Sequence, residues 1–397
     1  VAIDIRTGRI HSFKARAVVL ATGGLGRLYT PTTNFLISTG DGLSLAYRAG
    51  AHLMDMEMTQ FYPTTLKSNG SCVTEAARTL GALLLNSSGE RFMQRYDAAN
   101  MEMAGRDLIS RAIQMEIDKG NGVDGCVLLD CRPLQEKLTR QLGVLVELAE
   151  IYAGVDVTKE PLPIVPAFHY QMGGIKTDVE GATSLSGLYA AGECACISVH
   201  GANRLGANSL LETIVFGRRA GQSAAMHAKS ISPKNVSDSH IQATTSHIQN
   251  IAFRKSNDVT APDMRKRISK VMNRYVGLFR DSNGLETAVA ELAEIKDRVS
   301  RISIADKGSV YNLAMLSVIE LENMTEVAQV IVSSAMARQE SRGAHYRTDY
   351  PARGDLASPQ HVIIRRAQPG PQVEYAPVTI TRWPVEGEAA SSIVRAK

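Results

Sequence analysis

The sequence predicts an α/β protein: a mostly parallel sheet domain, interrupted by a mixed α+β insertion and followed by a helical region. Three observations carry that prediction. Ala17–Ala21 reads as a strand followed by a glycine turn, and the run from Gly187 to Glu193 as a buried strand ending in a small-residue turn. A helix with regular apolar spacing is entered at Thr39-Gly40-Asp41. Three stretches between Met264 and Met336 carry apolar residues three and four apart, the period of helices packed on one another.

Taken in order, VAIDIRTGRI reads as a hairpin with a Thr-Gly turn, leading into the strand Ala17–Ala21. Gly23 and Gly24 follow, small enough to let backbone approach a ligand. The helix from Asp41 runs through Leu43, Leu45 and Ala46 to Ala51. The pattern then changes to mixed strands and amphipathic helices, including Asp107–Ile117 and Gln135–Ile151, before the chain returns to the first domain near Met172. A Ser-rich stretch, Ser230–Ser246, reads as a polar bridge. Beyond it, Met264–Leu278, Leu285–Ser300 and Ser309–Met336 form a small antiparallel bundle, and Val362–Trp383 alternates as strands. The expected boundaries are 1–57 and 169–232 for the sheet domain, 58–168 for the insertion, 233–350 for the helical region and 351–397 for the tail.

Composition excludes several classes. With 397 residues, 44% hydrophobic and 21% charged, the chain has the balance of a globular protein. Its formal charge is +4 with scattered basic residues, which argues against a nucleic-acid partner. No apolar run is long enough to cross a bilayer. The five cysteines include no CxxC pair, so no metal site is expected. Cys194 and Cys196 read as small side chains packed near a cofactor loop.

The densest chemistry lies in HGANRLGANSLLETIVFG, from His200 to Gly217. Arg204 sits in a loop of glycine and asparagine, and Asn208-Ser209 opens an apolar helical run. Such a junction presents backbone N–H groups and a positive dipole end to an anion or an electron-rich ring edge. Glu193 stands in the small-residue turn that ends the preceding strand, the place where an α/β sheet usually holds a cofactor.

Together with VVLATGG, TGDG, HYQMGGIKTD and ESRGAHYRTDYP, this string resembles the flavoprotein subunit of succinate dehydrogenase and fumarate reductase over nearly the whole chain. The resemblance implies a partial FAD-binding Rossmann-like domain with an inserted α+β capping domain and a C-terminal helical domain. It also implies FAD as cofactor, held by Thr22, Gly23, Gly24, Asp41, Glu193, Ser209 and Leu210. The substrate would be a four-carbon dicarboxylate bound by Tyr62, Thr74, His169 and Arg204, planar arginine forks being the best match to carboxylates. Arg106 would handle the proton, relayed through Glu75 and Arg78, which are three apart and share a face if that segment is helical. Tyr62 departs from the family, which usually has a histidine there; a tyrosine is neutral at pH 7 and offers one hydrogen bond, which puts affinity or substrate identity in question.

The resemblance further implies an iron–sulfur partner subunit and a cytoplasmic place, peripheral at the inner face of the cell membrane through partner subunits. In the family a GxGxxG fingerprint and the histidine that carries covalent flavin precede the position of Val1. The expectation is therefore a chain lacking its N-terminal cofactor-binding portion and inactive by itself. Two other readings stay open: L-aspartate oxidase, which shares most of these motifs, and a non-catalytic flavoprotein remnant acting as a structural or interaction chain.

Overall fold

The computed structural model describes residues 1–232, 237–255, 259–354, 358–368 and 370–380. Ala2–Asp4 and Arg9–His11 pair antiparallel, the turn closed by Gly8 at a φ of 69°. Val18–Leu20 then lies parallel to Leu188–Ala190, Val18 opposite Leu188, although some 170 positions separate them. Parallel neighbours that far apart require the chain to leave the sheet and come back, as the interrupted pattern predicted. Helix Asp41–Ala49 is bracketed by Gly40 and Gly50, both left-handed, and buries Leu43, Ala46 and Tyr47.

The chain divides into two compact units. The larger contains Val1–Leu28, Ser38–Met58 and everything from Gln171 onward; the smaller contains Tyr29–Ile37 and Thr59–Tyr170. In the larger, a five-stranded sheet runs in the order Ala195–Cys196, Gly174–Lys176, Leu53–Met54, Gln360–Arg365 and Gln372–Pro377. The last two strands form the antiparallel pair expected in the tail; Trp383 lies outside the described residues.

In the smaller unit, four strands are ordered Thr59–Leu66, Leu162–Gln171, Val127–Asp130 and Leu83–Leu85. Helix Arg106–Asp118 packs on strand Thr59–Leu66. Beneath lies a core that includes Leu66, Val73, Leu84, Phe92, Ile109 and Ile113. The single helix expected over Gln135–Ile151 is two, Glu136–Gln141 and Gly143–Ala153. The break falls at Leu142, whose φ of −126° is not helical, beside a glycine that weakens helix continuation.

The Ser-rich bridge is also corrected. Helix Asn208–Ser230 runs up to its start, and Asp238–Phe253 is a second helix. Ser237 caps it by accepting from the Ser239 N–H at 3.2 Å, while Ile248, Ile251 and Ala252 are buried. Ala261–Tyr275, Ser282–Ser300 and Leu313–Ala337 follow, capped by Thr260, Asp281 and Asn312. Leu313–Ala337 packs on Ser282–Ser300 and also on helix Asp41–Ala49, so the helical residues share the larger unit's core.

Candidate active site

In the smaller unit, local structure assembles a charged chain from three short motifs. Alternation along strand Thr59–Leu66 sends Gln60 and Tyr62 to one face. Thr74 caps helix Glu75–Leu80, its side chain accepting from the Ala76 N–H at 3.3 Å. Its own hydroxyl proton is left to donate. Because Glu75 and Arg78 stand three apart on that helix they meet at 3.1 Å. Arg106, in the first turn after Gly105, reaches the other oxygen of Glu75 at 2.7 Å and Gln60 Oε1 at 3.3 Å. One carboxylate therefore bridges two guanidinium groups. Burial works to raise the pKa of Glu75, but Arg106 and Arg78 together overcome it and hold the carboxyl below its usual range. Arg78 is buried and donates its remaining amino group to the Glu102 carbonyl at 2.6 Å.

His169 stands beside this chain. Its Nδ1 is 2.7 Å from Thr33 Oγ1 and 3.9 Å from Cys72 Sγ, and its carbonyl accepts from Asn34 at 2.9 Å. The imidazole lies 5.0 Å from the Tyr62 ring, and the Arg106 guanidinium sits over that same Tyr62 ring, 4.9 Å from its centroid. Tyr62 departs from its expected part as donor to a carboxylate. Its hydroxyl donates to the Val73 carbonyl at 3.1 Å, so in this arrangement Tyr62 offers a ring face. Burial, ahead of its charged neighbours, raises the Tyr62 pKa and keeps the phenol neutral.

The larger unit holds the remaining candidates. Arg204 is buried and donates to the Leu205 carbonyl at 3.1 Å and to Ser209 Oγ at 3.4 Å, which folds the loop onto the start of helix Asn208–Ser230. Glu212, one turn into that helix, faces His200 at 3.6 Å, and Asn208 lies 3.3 Å from the same imidazole. Glu193 Oε1 accepts from the Gln171 N–H at 2.9 Å. Burial pushes its pKa up to about 7, only partly countered by that bond and by Arg204.

Of the cofactor candidates Thr22, Gly23 and Gly24, Gly23 has a φ of 71° with open space where a Cβ would stand, and Gly24 packs against the Glu193 carboxylate, which a Cβ there would overlap. Two candidates have partners within the protein. Asp41 accepts from Asn323 at 2.6 Å and from Thr39 at 3.0 Å, which anchors two helices to each other. The Leu210 N–H is taken by the Ala207 carbonyl at 3.2 Å, because the helix starts in a tight turn with Ala207 left-handed. Cys194 and Cys196 are buried, as expected of packing residues, and burial raises both thiols.

Sequence reasoning missed Gln60, Thr33, Asn34 and Cys72. Gln60 was findable, two residues from Tyr62 on the same strand face. Thr33 and Asn34 carry no local signal, since a bridge between Thr32 and Phe168 is what brings them to His169.

Comparison with known proteins adds to this geometry. Residues 1–210 match the family described as FAD binding domain, and residues 265–390 match the fumarate reductase flavoprotein C-terminal family. The chain is 41% identical to a fumarate reductase flavoprotein subunit of Mycobacterium tuberculosis, over 97% of this chain and 70% of that protein. It is 42% identical to a succinate dehydrogenase flavoprotein subunit of Rickettsia bellii, over 96% and 66% respectively. Among solved structures it is similar to an E. coli quinol fumarate reductase chain, with a TM-score of 0.90, 37% identity, and coverage of 97% of this chain and 69% of that one. An adenylylsulfate reductase from Archaeoglobus fulgidus, at 20% identity, TM-score 0.73, and coverage of 94% and 68%, shares the fold.

Proposed function

The chain belongs to the succinate dehydrogenase and fumarate reductase flavoprotein subunit family, with FAD as its cofactor, and from that premise we propose that it interconverts succinate and fumarate. The observation that carries this reading is the chain Arg106–Glu75–Arg78 beside His169 and Thr74. When bound, FAD supplies or accepts hydride at a substrate carbon. Thr22, Gly23, Gly24, Glu193 and Ser209 are the residues that would hold it.

Every other step falls to side chains. Arg204 clamps one carboxylate, and His169 and Thr74 hold carboxylate oxygens by hydrogen bonds. Arg106 gives a proton to the substrate carbon during reduction and takes it back during oxidation. An arginine is a poor acid at neutral pH, so the step needs a very basic acceptor and prompt reprotonation. Glu75, ionised and bonded to both guanidinium groups, returns the proton from the Arg78 side. Electrons pass to or from an iron–sulfur partner subunit, which also provides the peripheral attachment to the inner face of the membrane.

The test is a pair of assays on the complex: fumarate reduction with a reduced dye and succinate oxidation with an oxidised one. Activity in both supports the reading. Turnover of L-aspartate with neither succinate nor fumarate turned over would replace it with the amino-dicarboxylate oxidase reading.

A further inference from the structure

One short segment of the smaller unit, Tyr29–Ile37, grips His169 at both its backbone and its ring. Thr32 bridges to Phe168, whose carbonyl accepts from the Thr33 N–H at 2.9 Å and from the Thr32 hydroxyl at 3.3 Å. Asn34 donates from its side chain to the His169 carbonyl at 2.9 Å. The Tyr29 ring stacks on Phe168 at 4.8 Å, which seats the segment on the strand that carries the histidine. With the two stretches held in register, Thr33 Oγ1 comes to 2.7 Å from His169 Nδ1. A neutral imidazole carries one proton, and the hydrogen bond made by one nitrogen decides which nitrogen holds it. A carboxylate can only accept, so an imidazole that holds one must present an N–H. Nδ1 faces Thr33, and that task falls to Nε2.

We infer that Thr33 is the positioning residue of His169. Its hydroxyl donates to Nδ1, keeps the ring proton on Nε2 and fixes the rotation of the imidazole. In the succinate and fumarate reading, on which this last step rests, the Nε2–H then donates to a carboxylate oxygen. The Tyr62 ring lies 5.0 Å from the imidazole and its hydroxyl is committed to the Val73 carbonyl, so it limits the tilt of the histidine without choosing the protonated nitrogen. For the same reason the imidazole contact to a dicarboxylate falls on His169, which makes its orientation matter more here than where position 62 is also a histidine.

Nitrogen NMR of the intact, histidine-labelled protein without ligand reads the ring directly, at a pH where the imidazole is neutral. The His169 signals are those lost in His169→Gln. Nε2 should be protonated and Nδ1 an acceptor in the wild type and in Thr33→Ser, whereas Thr33→Val, which keeps the shape and removes the hydroxyl, should show a mixture of tautomers. A proton on Nδ1 in the wild type overturns the inference, and so does a ring that Thr33→Val leaves unchanged. Kinetics supply the second readout. KM for succinate and fumarate should rise about fivefold in Thr33→Val, the size of one neutral hydrogen bond, with kcat within about twofold, because a contact made equally in ground and transition states moves KM alone. Thr33→Ser should restore KM. Equal losses in the Ser and Val variants would make the contact one of packing and overturn the inference. A tautomer that shifts in Thr33→Val while KM for both dicarboxylates stays fixed keeps the hold of Thr33 on the ring and removes His169 from the dicarboxylate reading.

Discussion

Arg106 and Arg204 are both buried or nearly so, yet the structure holds them in opposite ways. Arg106 is braced by the Glu75 carboxylate and by Gln60, on a helix packed against a strand. Arg204 rides a loop, donates to the Leu205 carbonyl and the Ser209 hydroxyl, and its charge favours the ionised form of the buried Glu193 carboxyl. A guanidinium tied to a carboxylate on regular elements is fixed before any ligand arrives, and its charge is already matched. The other is held by contacts local to its own loop and the helix start beside it. The first arrangement fixes the proposed proton donor on regular elements, and the second carries the proposed carboxylate clamp on a loop.

The largest effect should follow from breaking the braced arginine. Arg106→Gln removes the proton donor while Glu75 and Arg78 can still pair, so fumarate reduction should fall at least 10²–10⁴-fold, with dicarboxylate affinity changed less than about tenfold. Steady-state rates and a binding isotherm on the same preparation check the split. Near-wild-type reduction would take Arg106 out of the mechanism.

Arg204→Ala should act on both constants. Losing a buried charge-assisted clamp costs about 3 kcal/mol, roughly two orders of magnitude in kcat/KM, with KM for succinate and fumarate rising as kcat falls. An unchanged KM would show that the loop arginine serves the fold alone, and the contrast between the two arginines would collapse.

The contrast also explains what was legible in the sequence. The i,i+3 pair of Glu75 and Arg78 and the strand-turn ending in Glu193 follow from local periodicity, so their placement could be read directly. Asp41 stands as a cofactor candidate through the TGDG string, but its bond to Asn323, 282 positions away, carries no local signal. Thr33 meets His169 across 136 positions, likewise without one. The helix Asp238–Phe253 was hidden by serines and threonines on its exposed side. The apolar run of helix Asn208–Ser230 misled in the other direction, since Leu210, Leu211 and Ile214 are all more than 60% exposed. Periodicity marks a helix and its apolar stripe, but tertiary contacts decide whether that stripe is covered.

A third prediction concerns Glu193, whose field Arg204 helps to set. Its folded pKa of about 7 lies above the ordinary 4.5, so the native state binds this proton more tightly than the unfolded chain does. Stability must then decline as pH rises from about 4.5 through about 7, by on the order of 3 kcal/mol, and level off above. Glu193→Gln should erase that slope, which urea titrations at pH 5 and pH 8 would read. In Arg204→Ala the decline should extend to higher pH, because a cation that favours the charged carboxylate is gone. A slope unchanged in Glu193→Gln would assign it to another group.

The smallest effects belong to Tyr62, where the braced region departs from its family. The Val73 carbonyl accepts from Tyr62 at 3.1 Å and also from Thr64 Oγ1 at 2.9 Å. Tyr62→Phe therefore leaves that carbonyl satisfied, and the loss of one hydrogen bond should cost only about 0.5–1 kcal/mol of stability. Tyr62→His is more informative. It exchanges a hydroxyl committed to the backbone for an imidazole that can donate to a carboxylate, while removing the ring beneath the Arg106 guanidinium. If binding decides, dicarboxylate affinity should tighten by up to about tenfold, most clearly below pH 7, where the imidazole is charged. If the ring's support of Arg106 decides, kcat should fall with affinity unchanged. Measuring Kd and kcat for the two variants from pH 6 to pH 8 distinguishes these outcomes, and weaker binding by Tyr62→His at every pH would show that Tyr62 shapes the pocket for a different ligand.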